Sequence, residues 1–208
     1  MPSMSLVGLQ SLTFLHIPKC AGSSIASWLR TVNGEYTAAN QLPELANVCT
    51  EIKYHPSIAV IRQTYPTNFT FTVVRNPWDR AVSAYFYITT VLDAAKQKVI
   101  MKLNNWETMP TFDQYIADKC PMPGVLSDVT QPQCQAWINA PVDLIIRFED
   151  IDTGGMSPIQ DLFKTTTPLP RLNASVRNAD YRVYYNSSTQ AAVATLFQED
   201  IDIYKYTF

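Results

Sequence analysis

Three stretches of the chain are predominantly apolar, and each gives way to turn or helix signals. The first runs from Leu12 to Ile17; Pro18 and a group of small residues then lead into IASWLRTV, whose apolar positions recur at helical spacing. The second, Phe69 to Val74, is the β-branched and aromatic run FTFTVV. Beyond Arg75, Asn76 stands where a helix N-cap belongs and Pro77 at the first helical position, and the helix is expected to continue through WDRAVSAYFYITTVL. The third is VDLIIRF, residues 142–148. Strands that are apolar on both faces and separated by helical segments belong in a parallel sheet covered on both sides, so the fold class is α/β.

The intervening segments read differently. Asn40 to Pro66 is loop, with a short strand at Val48 to Tyr54 and a helix over Ser57 to Thr64. Asn104 to Pro141 carries Pro110, Pro121, Pro123, Pro132 and Pro141, which break it into short helices and loops; it is expected to form a flap near the substrate. From Ser187 to Phe208, Val193, Leu196, Phe197, Ile201 and Tyr204 have helical spacing, which predicts a closing helix capped by Asn186 or Ser187.

Composition narrows the function classes. A chain of 208 residues is about one domain at roughly 100–200 residues each, and 47% hydrophobic residues supply a real core. Charged residues make up only 16%, and 16 basic against 18 acidic side chains leave a net charge of −2. Generic nucleic-acid coating needs a basic surface that this chain lacks, so no nucleic-acid partner is expected. Residues 1–90 hold six Lys/Arg and four Asp/Glu, a net +2, which leaves −4 for the remainder and makes the first part the better home for an anion. No apolar run is long enough to cross a membrane and no secretory signal opens the chain, so a soluble, cytoplasmic protein without a membrane partner is expected. Cys20, Cys49, Cys120 and Cys134 are irregularly spaced and form no CxxC pair. They read as buried free thiols, with a Cys120 to Cys134 bridge open in an oxidising compartment.

Two constellations carry chemistry. In HIPKCAGSS, residues 16–24, a strand hands over to a helix whose first N–H groups and positive dipole end attract anions. Ala21, Gly22, Ser23 and Ser24 are small enough to let an anionic oxygen reach the backbone, and Lys19 adds a mobile charge. Lys19 precedes the glycine, so this is not the GxxxxGK[ST] loop of nucleoside triphosphatases. In VVRNPWDRAVSAY, residues 73–85, Arg75 leaves a buried strand and can present a planar fork to a phosphate, with the Ser83 hydroxyl adding a bond. Pairing of Arg75 with Asp79 or with a nearby backbone carbonyl is the structural alternative, with Ser83 merely packing against the sheet.

Together the two segments resemble the sulfotransferases that use 3′-phosphoadenosine 5′-phosphosulfate (PAPS), in particular the carbohydrate-sulfating branch. QPQCQAWI, VDLIIRFEDI, LPRLNAS and the YYNSSTQAAVATLFQEDIDIYKY tail are similar to later landmarks of that family. The resemblance implies a P-loop-like three-layer sandwich with a central parallel sheet flanked by helices, in a single domain over 1–208. Residues 12–90 would form the cofactor-binding core, 104–141 the substrate-side flap, and 142–208 the closing strand and helices. Lys19, Cys20, Ala21, Gly22, Ser23 and Ser24 would surround the 5′ end of the donor, and Arg75 and Ser83 its 3′-phosphate. LNASVRNADYR, with Arg177 and Arg182, would form the adenine-side loop. PAPS is then the donor and adenosine 3′,5′-bisphosphate (PAP) the product, with no metal required, and the acceptor is a carbohydrate or small molecule bearing a hydroxyl.

In-line displacement at sulfur needs the charge that develops on the departing oxygen to be stabilised and a base for the acceptor proton. Lys19 suits the first task. The chain offers only His16 and His55 as imidazole bases. His16 lies in the strand run and is expected to be structural or a neighbour of the cofactor loop. The carbohydrate branch places a base or substrate-facing His in the interval between the two motifs, so the resemblance implies His55, at a strand to helix junction, as the base; a helix-capping His is the structural alternative. Glu51, Lys53, Asp79 and Glu149 are weaker substitutes. Trp106, Phe112, Tyr115 and Trp137 can stack on sugar rings but are more at home in a core. The alternatives are a nucleotide or small-molecule kinase with a degenerate phosphate loop, and a non-catalytic nucleotide- or glycan-binding protein.

Overall fold

The computed structural model describes residues 12–40, 55–120 and 131–208. The strand expected at 48–54, with Glu51, Lys53, Cys49, Pro121 and Pro123, falls outside the described residues. The chain begins with β1 (Leu12–Leu15), α1 (Gly22–Asn40), α2 (Ile58–Thr64) and β2 (Phe69–Val74). There follow α3 (Pro77–Phe86), extended by a π-helical turn over Tyr87–Val91, then α4 (Ala94–Leu103), α5 (Phe112–Ala117), α6 (Gln133–Ala136) and β3 (Leu144–Arg147). A 3₁₀ turn at Phe148–Thr153, α7 (Ser157–Leu162), a second 3₁₀ turn at Tyr181–Tyr184, α8 (Ser187–Leu196) and α9 (Gln198–Tyr204) complete it.

The strands form a parallel sheet in the order β1-β2-β3. Leu12 pairs with Phe69 and Leu15 with Thr72, while Phe71 pairs with Leu144 and Val74 with Arg147. β2 lies in the middle and is buried along nearly its whole length, which is what its apolar run demands. Leu12, Leu15, Phe71, Val73 and Val74 pack with Trp28 and Leu29 of α1 and Trp78 and Val82 of α3 in one core. The polar strand residues are satisfied inside it: the Thr72 hydroxyl donates to the Leu15 carbonyl at 2.8 Å and the Asn68 amide to Thr13 Oγ1 at 2.9 Å. This is the expected α/β, P-loop-like arrangement. Among the described residues no helix is long and apolar enough to cross a membrane.

α3 begins as the sequence predicts, with Asn76 accepting the Trp78 N–H at 3.0 Å and Pro77 in the first turn. Its far end departs from a plain α-helix. The N–H of Leu92 reaches back five residues to the Tyr87 carbonyl at 3.0 Å, a π-type bond of the sort that often marks functional positions. The tail also differs from the expected closing helix. Phe197, fully buried at φ −117 and ψ 27, separates α8 from α9, so the aromatic ring enters the core at the cost of helical continuity.

The aromatic residues considered for sugar stacking are core residues. Trp106, Phe112, Tyr115 and Trp137 are each buried to within 9% of full burial, and Phe112 and Tyr115 pack on Tyr85. Cys120 and Cys134 are free, buried thiols, as is Cys20; burial pushes Cys20 and Cys120 up to about 12. No bridge links Cys120 and Cys134, and thiols held this far from their thiolate form are poor nucleophiles.

The N-terminus of α8 carries a reciprocal cap. Asn186 Oδ1 accepts the Thr189 N–H, and Thr189 Oγ1 accepts the Asn186 N–H, both at 3.0 Å. Replacing Asn186 by Ala should therefore cost about 1 kcal/mol and lower the melting temperature by roughly 2–4 °C. Scanning calorimetry checks this; an unchanged melting temperature would show the cap to be dispensable.

Candidate active site

Parallel pairing of β1 with β2 brings the loops that follow both strands to the same edge of the sheet. The first loop turns sharply. Lys19 and Ala21 have φ of 67° and 59°, left-handed values that cost non-glycine residues energy and that surrounding contacts must hold in place. α1 starts at Gly22, so the N–H groups of its first turn have no partner within the helix. A Cβ at Gly22 would lie 1.7 Å from His16 Nε2, so the imidazole itself demands glycine here.

The second loop brings Arg75 across to the first. Arg75 Nη1 donates to the Lys19 carbonyl at 2.9 Å, and its guanidinium stacks 3.8 Å from the centre of the Phe148 ring. Its Nε and Nη2 are held by Asp79 Oδ2 at 2.9 and 2.8 Å, so the ion pair weighed from the sequence is present. The other oxygen of Asp79 accepts from Arg177 Nη2 at 2.6 Å, and Arg177 Nη1 is buried without a hydrogen-bond partner. One carboxylate thus orients two guanidiniums, and one of them keeps a donor unused.

These groups surround a cavity of about 480 Å³, lined also by parts of 148–152 and 169–179. Its wall carries Lys19, Arg75, Arg171 and Arg177 against Asp79 and Asp152, an excess of positive charge in a protein that is net negative. Lys19 Nζ lies 3.8 Å from the centre of the Tyr87 ring, which the π turn supplies. Burial, then the charges of Arg75 and Arg177, lower the Lys19 pKa from its ordinary value to about 7.

His55 sits on the same wall, with φ of 45°. Its Nδ1 is 3.1 Å from the His16 carbonyl oxygen. A carbonyl can only accept, so Nδ1 carries the proton and Nε2 keeps its lone pair. The His55 carbonyl in turn accepts from Trp137 Nε1 at 3.0 Å. The His16 ring meets the His55 ring edge to face at 4.5 Å. Burial is the main cause holding both imidazoles below their ordinary pKa; for His16 the charges of His55 and Lys19 add to it and bring the value to about 4. Both rings are neutral at pH 7, which is the state a base needs.

Of the residues singled out from the sequence, Lys19, Ala21, Gly22, Ser23, Ser24, His55, Arg75, Ser83 and Arg177 all line this cavity. Cys20 does not. Its side chain turns into the core, where the thiol lies 3.2 Å from Gln133 Oε1 and 3.7 Å from the Pro18 carbonyl, because the two left-handed residues beside it point the chain the other way. Arg182 is half exposed and pairs with Asp180, outside the cavity. Glu149 accepts from the Asn76 N–H at 2.8 Å and the Tyr206 hydroxyl at 3.3 Å, a bracing role. None of the described residues of 104–141 lines the cavity. Tyr87, Arg171 and Asp152 were not singled out, since nothing in their local sequence distinguishes them from ordinary surface residues.

The model of the sulfotransferase family matches residues 7–207. No curated protein sequence matches significantly. Among solved structures, that of mouse sulfotransferase SULT7A1 complexed with PAP is similar in fold, with a TM-score of 0.55 at 11% identity, covering 95% of this chain and 89% of that one. Because the family match extends over nearly the whole length, the chain belongs to the sulfotransferase family.

Proposed function

We propose that this protein moves a sulfuryl group from PAPS to a hydroxyl of a carbohydrate or similar acceptor by in-line displacement. The observation that carries the reading is the joining of two cationic loops over one cavity, through the bond from Arg75 Nη1 to the Lys19 carbonyl. A donor with phosphate at both ends needs two anion sites on one wall. The buried, unused Nη1 of Arg177 supports the fit, since a phosphate oxygen would satisfy it.

In this reading the N–H groups of the first α1 turn, with Ser23, Ser24 and Lys19, hold the 5′ end, while Arg75, Ser83 and Arg177 hold the 3′-phosphate. The bound donor supplies an electrophilic sulfur and a phosphate leaving group. Lys19, placed at that end, offsets charge on the departing oxygen. His55 Nε2 takes the acceptor proton, and the Nδ1–H bond to the His16 carbonyl keeps the imidazole in the required tautomer. Membership of the sulfotransferase family leaves the kinase reading without support. Trp106, Phe112, Tyr115 and Trp137 are buried, which removes them as sugar platforms.

Three outcomes test this. Arg75→Ala should weaken PAP binding by about 10- to 100-fold, since a hydrogen bond to a charged group is worth ~1.5–3 kcal/mol; titration calorimetry measures it. His55→Ala should lower transfer of labelled sulfate to a panel of glycans and small alcohols by roughly 10²–10⁴-fold, with PAP affinity little changed. Full transfer by this variant rules His55 out as the base, and retention of PAP without transfer by the unsubstituted protein favours a binding role.

The third concerns Lys19. A bound phosphate favours the charged ammonium, so its pKa is higher in the complex than in the free protein. At pH 8 the free side chain is mostly neutral, whereas a phosphate monoester with pKa of about 6 is already fully ionised. PAP binding at pH 8 should therefore draw protons from the buffer. Calorimetry in two buffers of different ionisation enthalpy reads this as unequal apparent enthalpies, and Lys19→Met should make them equal.

A further inference from the structure

Gln133 is 0% exposed, 58 residues from Arg75 and 113 from Cys20 along the chain, and every hydrogen-bonding position of its amide is filled. Oε1 accepts the Arg75 N–H at 3.0 Å and faces the Cys20 thiol at 3.2 Å. Nε2 donates to the Arg75 carbonyl at 2.9 Å and to Asp200 Oδ2 at 3.2 Å. The amide therefore pairs with both main-chain groups of Arg75, as a neighbouring strand would, at the point where β2 has just ended. Asp200, also fully buried, accepts the N–H groups of Gln133 at 2.6 Å and Cys134 at 2.9 Å, which fixes the start of α6 to α9.

From this geometry we infer that Gln133, anchored by Asp200, is a positioning residue that keeps the two anion-binding loops in register. The inference rests on the assignment of those loops to the donor given above. Gln133 touches neither the cavity nor a ligand. It sets the orientation of the Arg75 peptide, hence the direction in which the guanidinium leaves the backbone, and through Cys20 it holds the turn that carries Lys19. Cys20 thereby acts from the core side of the loop. A saturated buried amide has no alternative partner to turn to, so removing it frees both loops at once.

The test uses the full chain, with PAP affinity from titration calorimetry and melting temperature from scanning calorimetry. Gln133→Leu should raise the PAP dissociation constant at least tenfold at a temperature where the variant is fully folded. Val193→Ala, a core truncation in α8, should lower the melting temperature while leaving the affinity within twofold. Cys20→Val, which removes the donor, should weaken PAP binding threefold or more, and Cys20→Ser, which restores one, should recover most of the loss. Should Gln133→Leu not fold, this Cys20 pair decides. Gln133→Leu binding as tightly as the unsubstituted protein, or Cys20→Val and Cys20→Ser binding alike, overturns the inference. Absence of PAP binding by the unsubstituted protein overturns the functional reading itself and is seen before any variant is made.

Discussion

Parallel pairing of β1 with β2 is the constraint on which the site depends. Two strands that run the same way must end at the same edge, so the loops that follow them meet there although Lys19 and Arg75 are 56 residues apart. In an open α/β sheet that edge is also where helices present their N-termini, and ligands bind in the crevice it forms. The hydrogen bond from the Arg75 side chain to the Lys19 main chain turns this proximity into a single wall. An antiparallel arrangement of the same strands would send the two loops to opposite ends.

Gathering cations at one edge creates a problem that the structure answers with specific partners. Arg75 and Arg177 repel one another across a buried wall, and Asp79 lies between them with one oxygen for each. Among the described residues no carboxylate pairs with Lys19; it rests on the Tyr87 ring, and burial together with the two guanidiniums drives its pKa down. The free site is thus only partly compensated, and an anion that enters it restores charge balance and satisfies an unused donor. Burial likewise holds the His16 and His55 imidazoles below their ordinary pKa, and at His16 the charges of His55 and Lys19 add to it.

The supports of the wall come from far along the chain. Gln133, itself held by Asp200, bonds the Arg75 backbone, Glu149 holds the Asn76 N–H, and the Thr207 carbonyl accepts from Asn76 Nδ2 at 2.9 Å. The C-terminal segment therefore braces the loop after β2, through Gln133 from Asp200 and directly from Thr207.

How much was legible in advance follows from the range of the forces involved. The apolar runs of β1, β2 and β3, the cap and proline at Asn76 and Pro77, and the small residues at the start of α1 are local patterns, and local patterns specify local structure. The motifs around Lys19 and Arg75 likewise pointed to anion binding, and Arg177 and His55 line the same cavity. Hidden from view were the inward turn of Cys20, the π turn that delivers Tyr87, and the role of Gln133 and Asp200. Each depends on which side of a loop or helix faces a partner dozens of residues away. Residue order alone determined the strands, their parallel class and the chemistry on offer. Only packing decided which side chains share the cavity and which hold it from behind, because a buried polar group is oriented by whatever distant partner the fold brings within hydrogen-bond reach.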